Sequence, residues 1–192
     1  MTLKITLEKL ARLRSGFSIR KKAAQNPDKS FPILQIRDFD EISQSVKLPL
    51  TSRTSPAGKL QEHFLAPNDI LFLAKGTRHL CFRPGQLPEP TLPADSFFVI
   101  SPQKDILPAY LVWYLNLPAT RHTLERDAGG SRTPIIRIDA LRTLAIPIPP
   151  LETQHKITRL VELHRREKEK LLKLAELRER QINQITQTLS RT

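Results

Sequence analysis

The chain has 192 residues and a formal net charge of +12, from 31 lysines and arginines against 19 aspartates and glutamates. This size suits one globular domain with an appendage, and the basic surplus favours a polyanionic partner, nucleic acid above all, although a surplus that only aids solubility is an open alternative. No apolar run approaches the roughly 20 residues of a membrane span, and the amino terminus lacks the apolar core of a signal peptide, so we expect a cytoplasmic protein without membrane contact.

Residues 1–150 alternate short apolar runs with turn signals, which predicts a mixed α/β domain with many loops. We expect a short helix over 6–13 and a longer one over 107–130, interrupted by Pro118 and ended by two glycines. Residues 139–145 fit a helical turn capped by Asp139. The predicted strands are 31–39, 69–74, 79–84, 96–102 and 144–149.

The composition changes abruptly after Pro150. All 16 prolines and all 6 glycines lie in residues 1–150. Pro149 and Pro150 suit the start of a helix, and Glu152 lies where the helix dipole favours an anion. We therefore expect a globular domain over 1–148 and a helical segment over 149–192. Its helix would run from Leu151 to about Ser190 and be roughly 60 Å long.

The expected helix carries an apolar seam. Alternating steps of four and three residues connect Ile157, Val161, Leu171, Ala175, Ile182, Ile185 and Leu189, and five further leucines (160, 163, 172, 174 and 177) widen the seam. A 60 Å helix exceeds the roughly 40 Å diameter of a 150-residue domain, so a second chain or a partner must cover the seam. A solvated helix with a frayed end is the open alternative.

The polar residues of the seam favour one orientation of the pair. In a parallel dimer Lys168 and Arg178 would each face their own copies. An antiparallel pair separates these like charges, so we predict an antiparallel coiled coil.

Sequence motifs for catalysis and cofactor binding are missing. We find no D/E-x-K nuclease element, no glycine-rich phosphate loop, no G-x-S-x-G elbow and no methyltransferase N/D-P-P-Y/F motif. The single cysteine, Cys81, has no partner for a disulfide, and the five histidines lack metal-ligand spacing. We expect a non-catalytic chain without a metal or cofactor of its own.

Basic residues cluster in four loop regions of the domain, which carries 21 lysines and arginines against 13 acidic residues. Such side chains, together with serine and threonine, can follow phosphates and reach base edges, while the neighbouring glycines allow close backbone approach. Each cluster alone also fits a solvated loop. Taken together, they predict DNA contacts by Arg14, Arg20, Lys21, Lys22, Arg37, Arg53, Lys75, Arg78, His79 and Arg132.

Five segments carry a family resemblance. They are "RSGFSIRKK", "FPILQIRDF", "FLAPNDILFLAKG", "ILPAYLVWYLNLP" and "GGSRTPIIRIDALRTLAIPIPPLETQHKI", followed by the leucine-rich helix. In this order the chain resembles the specificity subunit of type I restriction–modification systems, in a half-length form with one target-recognition domain and one conserved helix. The junction "IPIPPLETQHKI" is the most specific segment.

The resemblance implies a function. The domain would recognise half of a split target in double-stranded DNA, and the helix would space two half-sites and dock methyltransferase subunits. Because the recognition unit occurs once, two copies would pair as a homodimer. The partner would methylate adenine with S-adenosylmethionine held on that partner, and a restriction/translocase subunit is a further candidate partner. The competing hypothesis is a non-catalytic adaptor that binds DNA without sequence preference and recruits a partner through its helix.

Overall fold

The computed structural model describes residues 3–18, 30–55, 60–76, 78–103, 105–126 and 135–190. The strands are β1 (Leu3–Thr6), β2 (Ala11–Ser15), β3 (Phe31–Leu34), β4 (Phe39–Asp40), β5 (Ser45–Val46), β6 (Arg53–Thr54), β7 (Ile70–Leu73), β8 (Cys81–Phe82), β9 (Leu92–Pro93), β10 (Phe97–Pro102) and β11 (Ala145–Ile148). The helices are α1 (Leu7–Leu10), α2 (Pro108–Leu115), α3 (Pro118–Arg126), α4 (Ile138–Thr143) and α5 (Leu151–Leu189). The predicted mixed α/β domain and long carboxyl-terminal helix are confirmed.

A four-stranded antiparallel sheet, in the order β2-β10-β7-β8, forms the centre of the domain. Along β7, Ile70 and Phe72 point to one core cluster and Leu71 and Leu73 to the other. The first cluster lies under α2, α3 and α4, and the second lies under the small sheet β6-β3-β9 and the β4–β5 hairpin. Burial on both faces explains why β7 is a continuous apolar run rather than an alternating one.

The first and last strands of the domain pair with each other. β1 pairs antiparallel with β11, and its partners run from Leu3 with Ile148 to Thr6 with Ala145. From α2, the hydroxyl of Tyr110 donates a hydrogen bond to the carbonyl of Pro147 at 2.8 Å. The strand that leads into α5 is therefore held by the first strand on one side and by α2 above it.

The first turn of α5 is joined to the domain by a buried glutamine. Gln154 is 1% exposed, and its Oε1 accepts a hydrogen bond from the backbone N–H of Leu107 at 2.9 Å. Its Nε2 donates to the carbonyl of Pro149 at 3.0 Å. One turn later Ile157 packs against the core. These contacts fix the base of the helix to α2 and β11.

Beyond its base, α5 leaves the domain. From 170 to 189 every residue is exposed. Leu160, Leu171, Ile185 and Leu189 are between 53% and 71% exposed, and their spacing places them on one side of the helix. Within the described residues, no helix is both long enough and apolar enough to cross a membrane.

The seam predicted from the sequence needs a correction at its amino-terminal end. Ile157 packs against the domain core, and Val161 lines a groove with Trp113 of α2. Ile157 therefore turns toward the chain's own domain, whereas Val161 borders that groove and is 38% exposed. The exposed apolar stripe instead begins with Leu160 and Leu163, which sequence analysis had placed beside the seam.

Two further local predictions differ from the structure, and a third is confirmed. The helix expected over 6–13 ends at Leu10, because the next residues join the central sheet as β2. The interruption expected at Pro118 is confirmed, because α2 ends at Leu115 and α3 begins at Pro118, whose ring and missing N–H prevent one continuous helix. Asp139 does not cap α4; the cap position is Arg137, and Asp139 pairs with Arg142 at 2.8 Å.

We expect Gln154→Ala to lower the free energy of unfolding by about 2 kcal/mol, because it leaves the N–H of Leu107 and the carbonyl of Pro149 without their side-chain partner. Urea denaturation followed by the fluorescence of the single tryptophan, Trp113, measures this change. The control is Gln184→Ala on the exposed part of the same helix, expected within about 0.5 kcal/mol of the wild type. Equal stabilities of the two variants would contradict the assigned role of Gln154.

Candidate nucleic-acid interface

One edge of the central sheet collects several loops. Here β2 and β7 end and β10 begins, since Phe98 pairs with Ser15 and Phe97 pairs with Leu73. Two further bridges extend this edge, one between Phe17 and Ala94 and one between Lys75 and Ile135. We call this surface the loop edge. It consists of the described residues among 15–17, 74–79, 94–96 and 135.

The loop edge also adjoins two sequence segments outside the described residues, 19–29 and 127–134. Phe17 lies just before the first, and Ile135 directly follows the second. Four of the predicted DNA-contact residues, Arg20, Lys21, Lys22 and Arg132, belong to these segments and so lie outside the described residues. The attachment points of two segments that carry predicted contacts are thus brought to the same edge as Lys75.

Lys75 and Arg78 are exposed cations of the loop edge. The Nζ of Lys75 lies 3.0 Å from Asp95, and Nη1 of Arg78 lies 2.6 Å from Glu41 in the β4–β5 loop. The Arg78 side chain is 73% exposed. Exposed pairs of this kind contribute about 1 kcal/mol or less, so a phosphate group can replace either carboxylate. Both cations are available to a polyanion.

Two glycines shape the same edge. Gly76 has φ +115, a backbone conformation that L side chains rarely adopt, and the space where a Cβ would point is open. Gly16 lies so close to the next strand that a Cβ would sit 1.9 Å from the carbonyl oxygen of Ala94. Sequence analysis did not single out Gly16, because the strand β2 that precedes it was not predicted.

Arg53 and Arg37 lie on a different part of the surface. Arg53 donates two hydrogen bonds to the Glu89 carboxylate, at 3.0 and 3.1 Å, and this interaction raises the pKa of Arg53. Arg53 also donates to the hydroxyl and carbonyl of Ser30, which follows segment 19–29. Arg37 donates to the hydroxyl of Ser52 at 2.5 Å. Arg53 therefore holds Ser30 in place in addition to carrying a positive charge.

Two residues predicted to contact DNA, Arg14 and His79, lie inside the domain instead. The side chain of Arg14 is 17% exposed and donates to the carbonyls of His63 and Phe64, at 3.2 and 3.0 Å. Burial lowers the pKa of Arg14, and the carboxylate of Asp69, 3.6 Å away, opposes that shift. His79 is 1% exposed, with Nδ1 3.2 Å from the carbonyl of Leu73. Their membership of basic clusters had predicted DNA contacts for both.

Metal-ligating and thiol groups also bear on the chemistry of this site. Among the described residues, no group of three or more histidines, cysteines and acids is arranged to hold a metal ion. The only cysteine, Cys81, is fully buried, and burial raises the pKa of its thiol. The loop edge combines exposed cations with backbone that a ligand can approach closely, which suits electrostatic contact with phosphates.

A family model described as "Type I restriction modification DNA specificity domain" matches residues 4–186. Comparison with curated proteins gives no match.

Solved structures share the fold. One is a chain from a structure on complex assembly and conformational transition of the type I R-M system, with TM-score 0.66 and 16% identity over 97% of this chain and 44% of that one. Another is the HsdS subunit from Thermoanaerobacter tengcongensis, with TM-score 0.61 and 18% identity over 90% of this chain and 39% of that one. A third is the S subunit from M. genitalium, with TM-score 0.57 and 16% identity over 94% and 43%. The chain spans about two fifths of the length of these solved chains.

We expect Arg14→Ala to lower the free energy of unfolding by about 2 kcal/mol, because it leaves the buried carboxylate of Asp69 and two carbonyls without their cation. The matched control is Arg12→Ala, an exposed position on the same strand, expected within about 0.5 kcal/mol of wild type. Urea denaturation of both variants makes the comparison. If Arg14→Ala left the stability unchanged but weakened DNA binding, Arg14 would be a DNA-contact residue after all.

Proposed function

Because the chain belongs to the family of type I restriction modification DNA specificity domains, we propose that residues 1–148 recognise one half of a split DNA target and that residues 149–192 space two such domains. In this proposal the chain is the non-catalytic specificity component. Catalysis belongs to a DNA adenine methyltransferase partner, which holds S-adenosylmethionine, and a restriction/translocase subunit joins the same assembly. The site of action is the cytoplasm.

The observation that carries the DNA-binding part of the proposal is the loop edge. It brings exposed Lys75 and Arg78, the open backbone at Gly76 and the attachment points of two further segments to one edge of the domain. The salt bridges of both cations lie at the surface, so exchange of a carboxylate for a phosphate costs little. Glycine at the turn lets backbone N–H groups approach a phosphate.

The spacing part of the proposal rests on the outer face of α5. The exposed stripe runs from Leu160 to Leu189, and its midpoint lies between Leu174 and Ala175. An antiparallel pair centred there would set each Leu160 opposite Leu189 of the second copy. Arg178 would then face Leu171 rather than its own copy, which removes a like-charge contact.

Charge distribution favours the same pairing. Residues 181–190 of α5, "QINQITQTLS", carry no charged side chain, whereas residues 165–170, "RREKEK", are all charged. In an antiparallel pair, the uncharged end of one helix lies beside the charged segment of the other. The two charged segments therefore do not face each other, and neither do the two uncharged ends. The paired helices would bury the stripe and hold two loop edges a fixed distance apart.

Specific recognition separates this proposal from the adaptor hypothesis. Binding through phosphates alone weakens with salt equally for every sequence. A specificity component keeps a preference of about 10³-fold or more for its target as salt rises. Selection from a random DNA library, followed by binding to selected and scrambled duplexes over a salt series, distinguishes the two. Equal affinity for all duplexes would favour the adaptor.

Arg78→Ala is expected to weaken DNA binding and to reduce the slope of log K against log salt by about 0.9, the value for one phosphate contact on duplex DNA. Fluorescence anisotropy with a labelled duplex measures both. Lys173→Ala is the matched control, since it removes one positive charge from the exposed part of α5 and should leave the slope unchanged. An Arg78→Ala slope equal to wild type would remove Arg78 from the interface.

Disruption of the stripe is expected to separate the dimer. Leu174→Asp combined with Ile185→Asp places two charges in an apolar contact. Light scattering should then show the mass falling from about 44 kDa, twice the chain mass of 22.0 kDa, to the mass of one chain. The control is Gln184→Asp with Gln187→Asp, two charges on another side of the same exposed segment. A wild-type mass of one chain, or a dimer unaffected by the stripe variant, would contradict the proposed pairing.

A further inference from the structure

A helix that spaces two DNA-binding domains must keep a narrow angle to each domain. From Gln154 to Leu189 the helix is about 52 Å long at 1.5 Å per residue. A rotation of about 4° about its base would move the far end by about 3.5 Å, which equals one base-pair step along DNA. Contacts at the base alone leave this long lever free to swing. A helix that sets the spacing between two domains to within one base pair therefore needs a second attachment to its domain, further from its base.

The structure contains such an attachment at Arg165. Its Nη1 donates a hydrogen bond to the backbone carbonyl of Ser43, in the loop of the β4–β5 hairpin, at 2.8 Å. The two residues are separated by 122 positions in the sequence. Arg165 lies about 16 Å along the helix from Gln154, so the two attachments together define a direction.

The guanidinium of Arg165 is held rigidly for this contact. Its Nε and Nη2 donate to the two carboxylate oxygens of Glu162, both at 2.8 Å, and Nη1 lies 3.3 Å from Glu169. The hydrogen bond from Arg165 is the largest cause that lowers the pKa of Glu162 to about 2, so this carboxylate is charged under all ordinary conditions. A two-point fork of this kind restricts the orientation of the planar group.

The accepting loop is also fixed. The carboxylate of Asp40 accepts hydrogen bonds from the backbone N–H groups of Ile42 and Ser43, at 2.8 and 3.1 Å. Glu41 in the same loop pairs with Arg78 of the loop edge. The carbonyl of Ser43 is therefore tied to the domain and, through Glu41, to the residues proposed to meet DNA.

We infer that Arg165 is a positioning residue for spacing: by joining α5 to the β4–β5 loop, it sets the angle between helix and domain and thereby the spacer length accepted between two half-sites. This inference rests on the proposed function. A rotation of about 4° at the base moves Arg165 by about 1.1 Å. That displacement would stretch a 2.8 Å hydrogen bond beyond its working range, so the contact limits the helix to less than one base-pair step.

The test compares Arg165→Ala with Arg166→Ala in the full-length chain. Arg166 is a close control, because its Nε donates to the same Glu162 at 2.7 Å but its side chain is 64% exposed on the helix. A library of random duplexes first gives the half-site sequences and the preferred spacer for the wild type. Affinity is then measured for that target and for targets with the spacer shortened or lengthened by one base pair.

We expect Arg165→Ala to bind the same half-sites but to lose roughly fivefold of its preference for the correct spacer for each copy, since each chain of the pair loses one hydrogen bond. Arg166→Ala should keep the wild-type preference. Arg165→Lys, which keeps the charge but lacks the fork, should behave like Arg165→Ala and serves if the alanine variant misfolds. A loss of stability alone would lower affinity for every spacer equally.

The outcomes are distinct. An unchanged spacer preference in both Arg165 variants overturns the role of Arg165 while leaving the proposed function in place. The same broadening in Arg166→Ala would also overturn it, because the effect would then follow the charge of the helix rather than the contact with Ser43. If the wild type selects no split target at all, the proposed function fails, and the inference fails with it.

Discussion

Burial of both faces of the sheet β2-β10-β7-β8 is the constraint on which the rest of this structure depends. Helices α2 to α4 cover one face, and the smaller sheet with the β4–β5 hairpin covers the other. Neither face is left to bind a ligand. The two surfaces proposed for partners, the loop edge and the uncovered side of α5, therefore lie outside these faces, and they differ in character. The loop edge presents cations and open backbone, whereas the helix presents leucine and isoleucine.

Burial also sorts the basic residues into two kinds. Arg14 satisfies carbonyls and a buried carboxylate inside the domain, and so contributes to stability. Arg78 and Lys75 make exposed pairs that a phosphate can replace. Arg53 lies between these kinds, because it is half-exposed yet anchors Ser30 beside a basic segment. Net charge favours a polyanionic partner, but only these contacts distinguish structural cations from available ones.

The long helix has two sides with different surroundings. Its first turns bind the chain's own domain through Gln154, Ile157 and Arg165, and its outer stripe is open to a partner. This separation matters mechanically. If one side of the helix made both sets of contacts, pairing with a second helix would break the contacts with the chain's own domain. The hairpin that receives Arg165 also receives Arg78 through Glu41. The β4–β5 hairpin therefore contacts both α5 and the loop edge.

Much of this architecture follows from the sequence by itself. The absence of proline and glycine beyond residue 150, with Pro149 and Pro150 before it, determined the long helix, because local backbone preference dominates there. The strands β3, β7, β8, β10 and β11 and the break at Pro118 also followed from local pattern, whereas β1, β2, β5, β6 and β9 did not. Tertiary structure alone decided that His79 is buried and Arg14 mostly so, that Ile157 packs against the domain, and that Arg165 reaches Ser43. These outcomes depend on which distant segments meet, since burial and hydrogen-bond partners are set by contacts across the fold rather than by neighbours along the chain.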